Sequence, residues 1–295
     1  MLKKLKGYMM PIAMTLGVVL HNYVGVLSFS IPYLIFVMLL LTYSKLRWQD
    51  IRFTALHAKL LGIQLLGSIA IYVAIAPFST LLAQAVMVCV LAPTATSAPV
   101  IAGMLKGNIA SLTAYSMLSN LLVVFVAPLF FTIISDKDVE FMASVLGIGQ
   151  RIFLLLVVPF ILSVLLHRFA PKVNDTIKRN AGLSFYMWTF ALIVVSGNTV
   201  RFVITQNEAS TVTVLLMAFG SLIVCGLQFL AGRRIGRKHN DTVAGGQGLG
   251  QKNTVLCIWM TQTYLNPIAS IGPGSYVLWQ NMVNSYQVWR KRKSI

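Results

Sequence analysis

Apolar runs, each about 20 residues long and so long enough to cross a bilayer as a helix, follow one another from residue 8 to residue 289, parted by short polar or Pro/Gly-marked stretches. They predict spans at about 8–26, 29–45, 56–76, 80–105, 109–134, 143–166, 182–205, 210–232, 241–264 and 269–289. Two of these runs are interrupted. The fourth contains Ala92-Pro93-Thr94-Ala95-Thr96-Ser97-Ala98-Pro99, and the ninth contains Gly245-Gly246-Gln247-Gly248-Leu249-Gly250-Gln251-Lys252-Asn253.

The interruptions set up an internal rhythm. Residues 1–134 and 143–295 each read as three spans, then a broken span, then a closing span, with 135–142 as an extracytoplasmic linker. An odd number of spans per half makes the second half run through the membrane in the opposite sense. Matched discontinuous helices in inverted repeats point to a transporter's binding site, because non-helical backbone at membrane depth survives only where it is protein-buried or lines a cavity. The plainer reading is two Pro/Gly kinks. The expected fold is therefore an all-α membrane protein of ten helices in two inverted five-helix repeats, with the fourth and ninth helices broken and crossing.

Composition supports lipid as the main solvent: the chain is 57% hydrophobic and 11% charged, with mean hydropathy +0.78. A soluble domain carries roughly 25% charged residues. The formal charge of +17 would suggest nucleic acid in a soluble protein. Here the basic residues sit in short clusters between apolar runs, without the interleaved aromatics that stack on bases, so no nucleic-acid partner is expected. With the N-terminus inside, 20 of the 24 lysines and arginines fall on cytoplasmic segments; Lys137 and Arg201 fall outside, and Arg151 and Lys252 within spans. The positive-inside rule then places both termini in the cytoplasm, and a bacterial inner membrane is the expected location. Lys3, Lys4 and Lys6 before the first run resemble a signal peptide, but no small-residue cleavage site follows, so the run reads as a span. Cys89, Cys225 and Cys257 lie in apolar runs and suggest core residues rather than disulfides.

All seven acidic residues, Asp50, Asp136, Asp138, Glu140, Asp175, Glu208 and Asp241, map to loops or span ends. No His/Cys/acid constellation marks a hydrolase, protease or redox centre, so no enzymatic activity, metal or cofactor is expected. Lys252 stands out inside the broken ninth span, where a central charge costs roughly 2.5–3.5 kcal/mol and usually has a function. Its ammonium either meets a carboxylate substrate, takes the place of a metal cation or cycles a proton; the alternative is a lysine snorkelling to the inner face. Arg151, in the sixth span, belongs to an anion path or snorkels. Gln64, Thr94, Thr96, Ser97 and Ser116 offer neutral oxygens, although Ser and Thr also serve simply in helix packing. Asn281, beside Trp279 and Gln280, puts an amide inside the last span.

At the two breaks the chain resembles the bile acid:sodium symporter family. The family's Gly-Gly-Thr-Ala-Ser-Asn stretch leading to Lys-Gly-Asp corresponds to Thr94 to Pro99 and then Lys106-Gly107-Asn108. Its Glu-x-Gly-x-Gln-Asn-Ser pattern corresponds to Gly248-Leu249-Gly250-Gln251-Lys252-Asn253-Thr254, and Trp279-Gln280-Asn281 also resembles it. The resemblance implies a core of spans 3–5 and 8–10, a panel of spans 1, 2, 6 and 7, and a small or amphipathic organic anion bound between them. It also implies two sodium sites, and there the chain departs. Gly248 replaces the glutamate, Lys252 the glutamine, Ala98-Pro99 the Ser-Asn pair and Leu112 a hydroxyl, while Ser116 and Gln64 remain. An ammonium repels Na⁺ at this range by several kcal/mol. Sodium is therefore not expected as a cofactor, and Lys252 is expected to stand in for it, with Gln251, Asn253 and Thr254 beside it. Two other readings keep the architecture: a degenerate paralogue that binds a ligand without transporting it, and an inverted-repeat carrier of the auxin-efflux type. Substrate identity, direction and oligomeric state are not legible.

Overall fold

The computed structural model describes residues 2–45, 48–95, 97–135, 140–205 and 210–293. Among these residues the fold is all helical, without a strand. The helices are α1 (Leu2–Val19), α2 (Ser30–Tyr43), α3 (Ala55–Ile75), α4 (Thr80–Leu91), α5 (Ala98–Met104), α6 (Ile109–Ile134), α7 (Phe141–Ile152), α8 (Val158–Phe169), α9 (Pro171–Arg179), α10 (Leu183–Thr205), α11 (Thr211–Lys238), α12 (Thr242–Gly250), α13 (Thr254–Tyr264) and α14 (Ile271–Lys293). A π turn, Phe153–Val157, joins α7 to α8. Among the described residues, five helical stretches are by length and composition able to cross a membrane: Ala55–Ile75, Ile109–Ile134, Phe141–Phe169, Leu183–Phe202 and Thr211–Lys238.

The outer surface is apolar. Phe78, Val26, Tyr33, Ile133 and Leu230 all stand exposed, as lipid-facing side chains do, while the polar side chains gather inside. Buried polar residues include Gln64, Thr94, Ser119, Asn120, Gln247, Gln251, Lys252 and Gln280. This inversion is the packing consequence of a solvent that cannot hydrogen-bond: each polar group must find its partner within the protein.

Close helix contact depends on small residues. A Cβ built at Gly232 on α11 would stand 2.2 Å from the Gly245 carbonyl oxygen on α12, and one at Gly236 2.4 Å from the Asp241 carbonyl oxygen. Gly232 and Gly236, four residues apart, form one face of α11, and α12 lies along it. Small residues at this spacing let membrane helices approach backbone to backbone. The three cysteines are buried free thiols.

Candidate functional site

The sequence breaks both helices in the interior. Pro93 has no N–H to extend α4, and Ala92 before it is extended at φ −44° and ψ 139°, as the residue before proline prefers. On the other side α12 runs out after Gly250, and Gln251 is extended at φ −96° and ψ 105°. Each chain then restarts as a helix. Pro99 lies in the first turn of α5, where a missing N–H is harmless. Asn253 caps α13, its Oδ1 accepting the Leu256 N–H at 3.1 Å.

The two extended pieces pair antiparallel. Ala95 N–H donates to the Gln251 carbonyl at 2.9 Å, and Asn253 N–H donates to the Pro93 carbonyl at 2.8 Å, with Thr94 opposite Lys252. The outer edge of Lys252 is closed by one side chain: Gln280 Oε1 accepts its N–H at 2.8 Å and Gln280 Nε2 donates to its carbonyl at 3.2 Å. Gln280 thus acts as a third strand made of one amide.

The Lys252 side chain is 1% exposed and turns to the end of α4. Its Nζ donates to the Val90 carbonyl at 2.8 Å and the Ala92 carbonyl at 3.0 Å. A helix C-terminus carries unpaired carbonyls and the negative end of the helix dipole, so a cation is favoured there. Val90 has no other route to satisfaction, because the Thr94 N–H that would follow in a continuous helix donates instead to Ser119 Oγ at 3.1 Å.

Gln64 serves the same helix end from α3. Its Nε2 donates to Leu91 and Ala92 carbonyls at 2.8 and 3.2 Å, and its Oε1 accepts from Ser119 Oγ and the Tyr115 hydroxyl at 2.8 and 3.0 Å. Thr94 Oγ1 reaches across to the Gly248 carbonyl at 2.8 Å, and Gln251 Nε2 to Ser97 Oγ at 3.1 Å. Ser116 accepts from Asn120 Nδ2 through its carbonyl at 2.7 Å. Thr254 Oγ1 accepts from Gln280 Nε2 at 3.5 Å. Asn281 is buried beside a small pocket that Lys252, Ser97 and Asn253 also line. Pro99 is packed without a polar contact of its own to the crossing. Thr96 and the Arg151 side chain lie outside the described residues. Trp279 is tied to α11 through Nε1, which donates to the Ala218 carbonyl at 3.0 Å.

Four participants were not singled out by the sequence: Tyr115, Ser119, Asn120 and the paired amide of Gln280. Ser116, Ser119 and Asn120 sit three to four residues apart on α6, so a polar stripe on one face of an apolar span was the available signal.

Gly248 and Tyr115 explain each other. A Cβ at Gly248 would stand 2.7 Å from the Tyr115 ring and 3.4 Å from Leu60, so a larger side chain at this position has no room. Because the crossing is so densely bonded, Gln280→Leu is expected to lower stability by about 1 to 3 kcal/mol, since it strands the Lys252 N–H away from water, while the Lys252 carbonyl keeps the Thr254 N–H at 2.9 Å. The apparent melting temperature in detergent reads this, with Gln280→Glu as the variant that keeps the acceptor for the Lys252 N–H and loses the Nε2 donor.

Beside the crossing lies a cavity of about 710 Å³. Ile31 and Phe36 of α2, Leu155 and Val158 around the π turn, and Val195 and Phe202 of α10 wall one side; Asn120, Asn253, Val255 and Val277 wall the other. None of its lining residues is charged among the described residues. Its polarity comes from amides and hydroxyls, and the first turn of α13 lies in its wall.

Helices that turn apolar residues outward and enclose a polar crossing beside such a cavity are the construction of a membrane transport protein. The model of the sodium bile acid symporter family matches residues 32–206, more than half of the chain. The chain belongs to that family of membrane transporters. Comparison with curated proteins gives no match.

Proposed function

We propose that this protein is a secondary transporter of an organic anion with a large apolar body, working by alternating access and without sodium. The observation that carries the reading is the Lys252 ammonium on the Val90 and Ala92 carbonyls. An ammonium donating to helix-end carbonyls fills the electrostatic role of a bound alkali cation, and Tyr115 occupies the space beside Gly248 where an acidic ligand would have to fit. With Lys252 in place of a bound cation, the cycle is facilitative or coupled to a proton through Lys252.

The substrate fits the 710 Å³ cavity, apolar body against α2, α8 and α10. Its anionic end lies at the first turn of α13, where the positive end of the helix dipole favours negative charge. In this reading the helices form ten spans in two inverted repeats, residues 1–134 and 143–295 about the 135–142 linker. The core comprises spans 3–5 and 8–10, moving against a panel of spans 1, 2, 6 and 7, with both termini cytoplasmic in a bacterial inner membrane.

Purified protein in proteoliposomes, loaded against a panel of organic anions, tests this. Uptake is expected to differ by less than twofold between sodium, potassium and choline media. Uptake that collapses without a sodium gradient overturns sodium independence. A ligand that raises the melting temperature but never crosses the bilayer identifies a binding paralogue instead.

A further inference from the structure

A second cavity, about 680 Å³, shares no lining residue with the first. It runs between α1 and α14, between Met14 and Val18 on one helix and Met282, Tyr286 and Trp289 on the other. It faces outward: Val18, Met282 and Tyr286 are 40%, 55% and 56% exposed. It lies at the boundary of the panel (α1) and the core (α14), and the proposed substrate site does not include it.

Charge gives this groove a direction. Met9 and Ala13 pack in one cluster with Val288, so the start of α1 lies beside the end of α14. The sequence then brings Lys3, Lys4 and Lys6 to the same end as Arg290, Lys291, Arg292 and Lys293, and neither helix contains an acidic residue. Tyr286 and Trp289, with ring centroids 6.0 Å apart, stand just inside that basic end, at the level where amphipathic aromatics meet lipid headgroups. An apolar trough that ends in aromatics, where α14 continues into Arg290 and Lys291, matches the chemistry of a single amphiphilic anion.

We propose that the α1–α14 groove holds one anionic phospholipid, with an acyl chain between Met14, Val18 and Met282 and the phosphate at the basic end. Lysine and arginine next to a membrane surface attract anionic headgroups additively, and the groove converts that diffuse attraction into a fixed place. A second copy of the chain is the poorer occupant. Copies inserted in the same orientation would set like basic ends against each other, a repulsive contact.

The test uses the full-length protein reconstituted in vesicles of phosphatidylcholine and phosphatidylglycerol with matched acyl chains, extracted gently and weighed intact with its bound lipid. Wild-type protein is expected to retain one phosphatidylglycerol, enriched at least tenfold over phosphatidylcholine. Lys291→Gln with Arg292→Gln is expected to weaken that retention by roughly thirtyfold, from the contribution of each cation near the surface. Thr15→Trp, which fills the groove without changing charge, is expected to abolish it, and Met282→Trp repeats the test from the other wall if the first variant misfolds. Equal retention of the two lipids overturns the proposal. So does retention that responds to the charge variant but to neither groove-filling variant, and so does a mass showing a second protein copy in place of lipid.

Discussion

Lys252→Glu is expected to destabilise the protein by about 3–5 kcal/mol, the scale on which an uncompensated buried charge acts. The substitution puts a carboxylate where Nζ now donates to the Val90 and Ala92 carbonyls, so its two oxygens would face two carbonyl oxygens that also carry negative charge. Among the described residues no other acidic or basic side chain bonds to these carbonyls, and rearrangement is limited because Gln64, Gln280 and Ser119 are each held by further hydrogen bonds. A cation is the natural remedy. Sodium, which seeks oxygen ligands, is expected to recover part of the lost melting temperature in Lys252→Glu and to leave the wild type unmoved. Lys252→Met separates charge from tether. It removes a buried ammonium, which is favourable, and strands the Val90 carbonyl, which costs about 1–3 kcal/mol. Its stability is therefore expected to stay close to wild type while uptake falls at least tenfold, because the α4 end and the start of α13 are no longer bound through a charged group. Wild-type uptake in Lys252→Met would remove the tethering role, and an unperturbed Lys252→Glu would remove the electrostatic account altogether.

What could be read beforehand divides along physical lines. Lys252 was visible because a charge in an apolar run is costly wherever it lies, and the breaks were visible because Pro93 and the glycines of 245–250 are backbone instructions. The carbonyls that Lys252 serves were not visible, since every residue has one and only the fold says which are left unpaired. Gln64 could be suspected as a lone amide in an apolar helix, but its four partners come from α4 and α6, and no local pattern reports them. Hydropathy also misplaces ends. The helix α1 starts at Leu2 and α14 runs to Lys293, because lysine and arginine continue a helix well although they end an apolar run. The turn at Phe153–Val157 lies in a run as apolar as its neighbours; the carbonyl of Leu155 meets Pro159, which has no N–H to give it, and the helix widens there. The short α9, Pro171–Arg179, falls in a stretch that hydropathy treats as a loop.

The same reasoning makes Gly245 a position where a single added methyl group is costly. A methyl group added there would stand 2.3 Å from the Gly232 carbonyl oxygen, 2.8 Å from Gly236 Cα and 3.0 Å from the Gly236 nitrogen. All three are backbone atoms, so no side chain can rotate aside, and one helix must move. Helix α11 is 28 residues long and fixed along its length, whereas α12 has nine residues and ends at the crossing. The short helix is therefore the one displaced, carrying Gly248, whose carbonyl holds Thr94, and Gly250, whose carbonyl accepts from the Tyr276 hydroxyl at 2.8 Å. Gly245→Ala is expected to cost about 3 kcal/mol, the upper end for overpacking a filled core, and to reduce uptake together with the melting temperature. Gly226→Ala on α11, the partner helix, is the control, since a Cβ there meets nothing within 4 Å; it is expected to leave both measurements near wild type. Comparable losses in the two variants would mean that an added methyl is costly on either helix whatever it meets, and the backbone contact between α11 and α12 would then have no special part in holding the crossing.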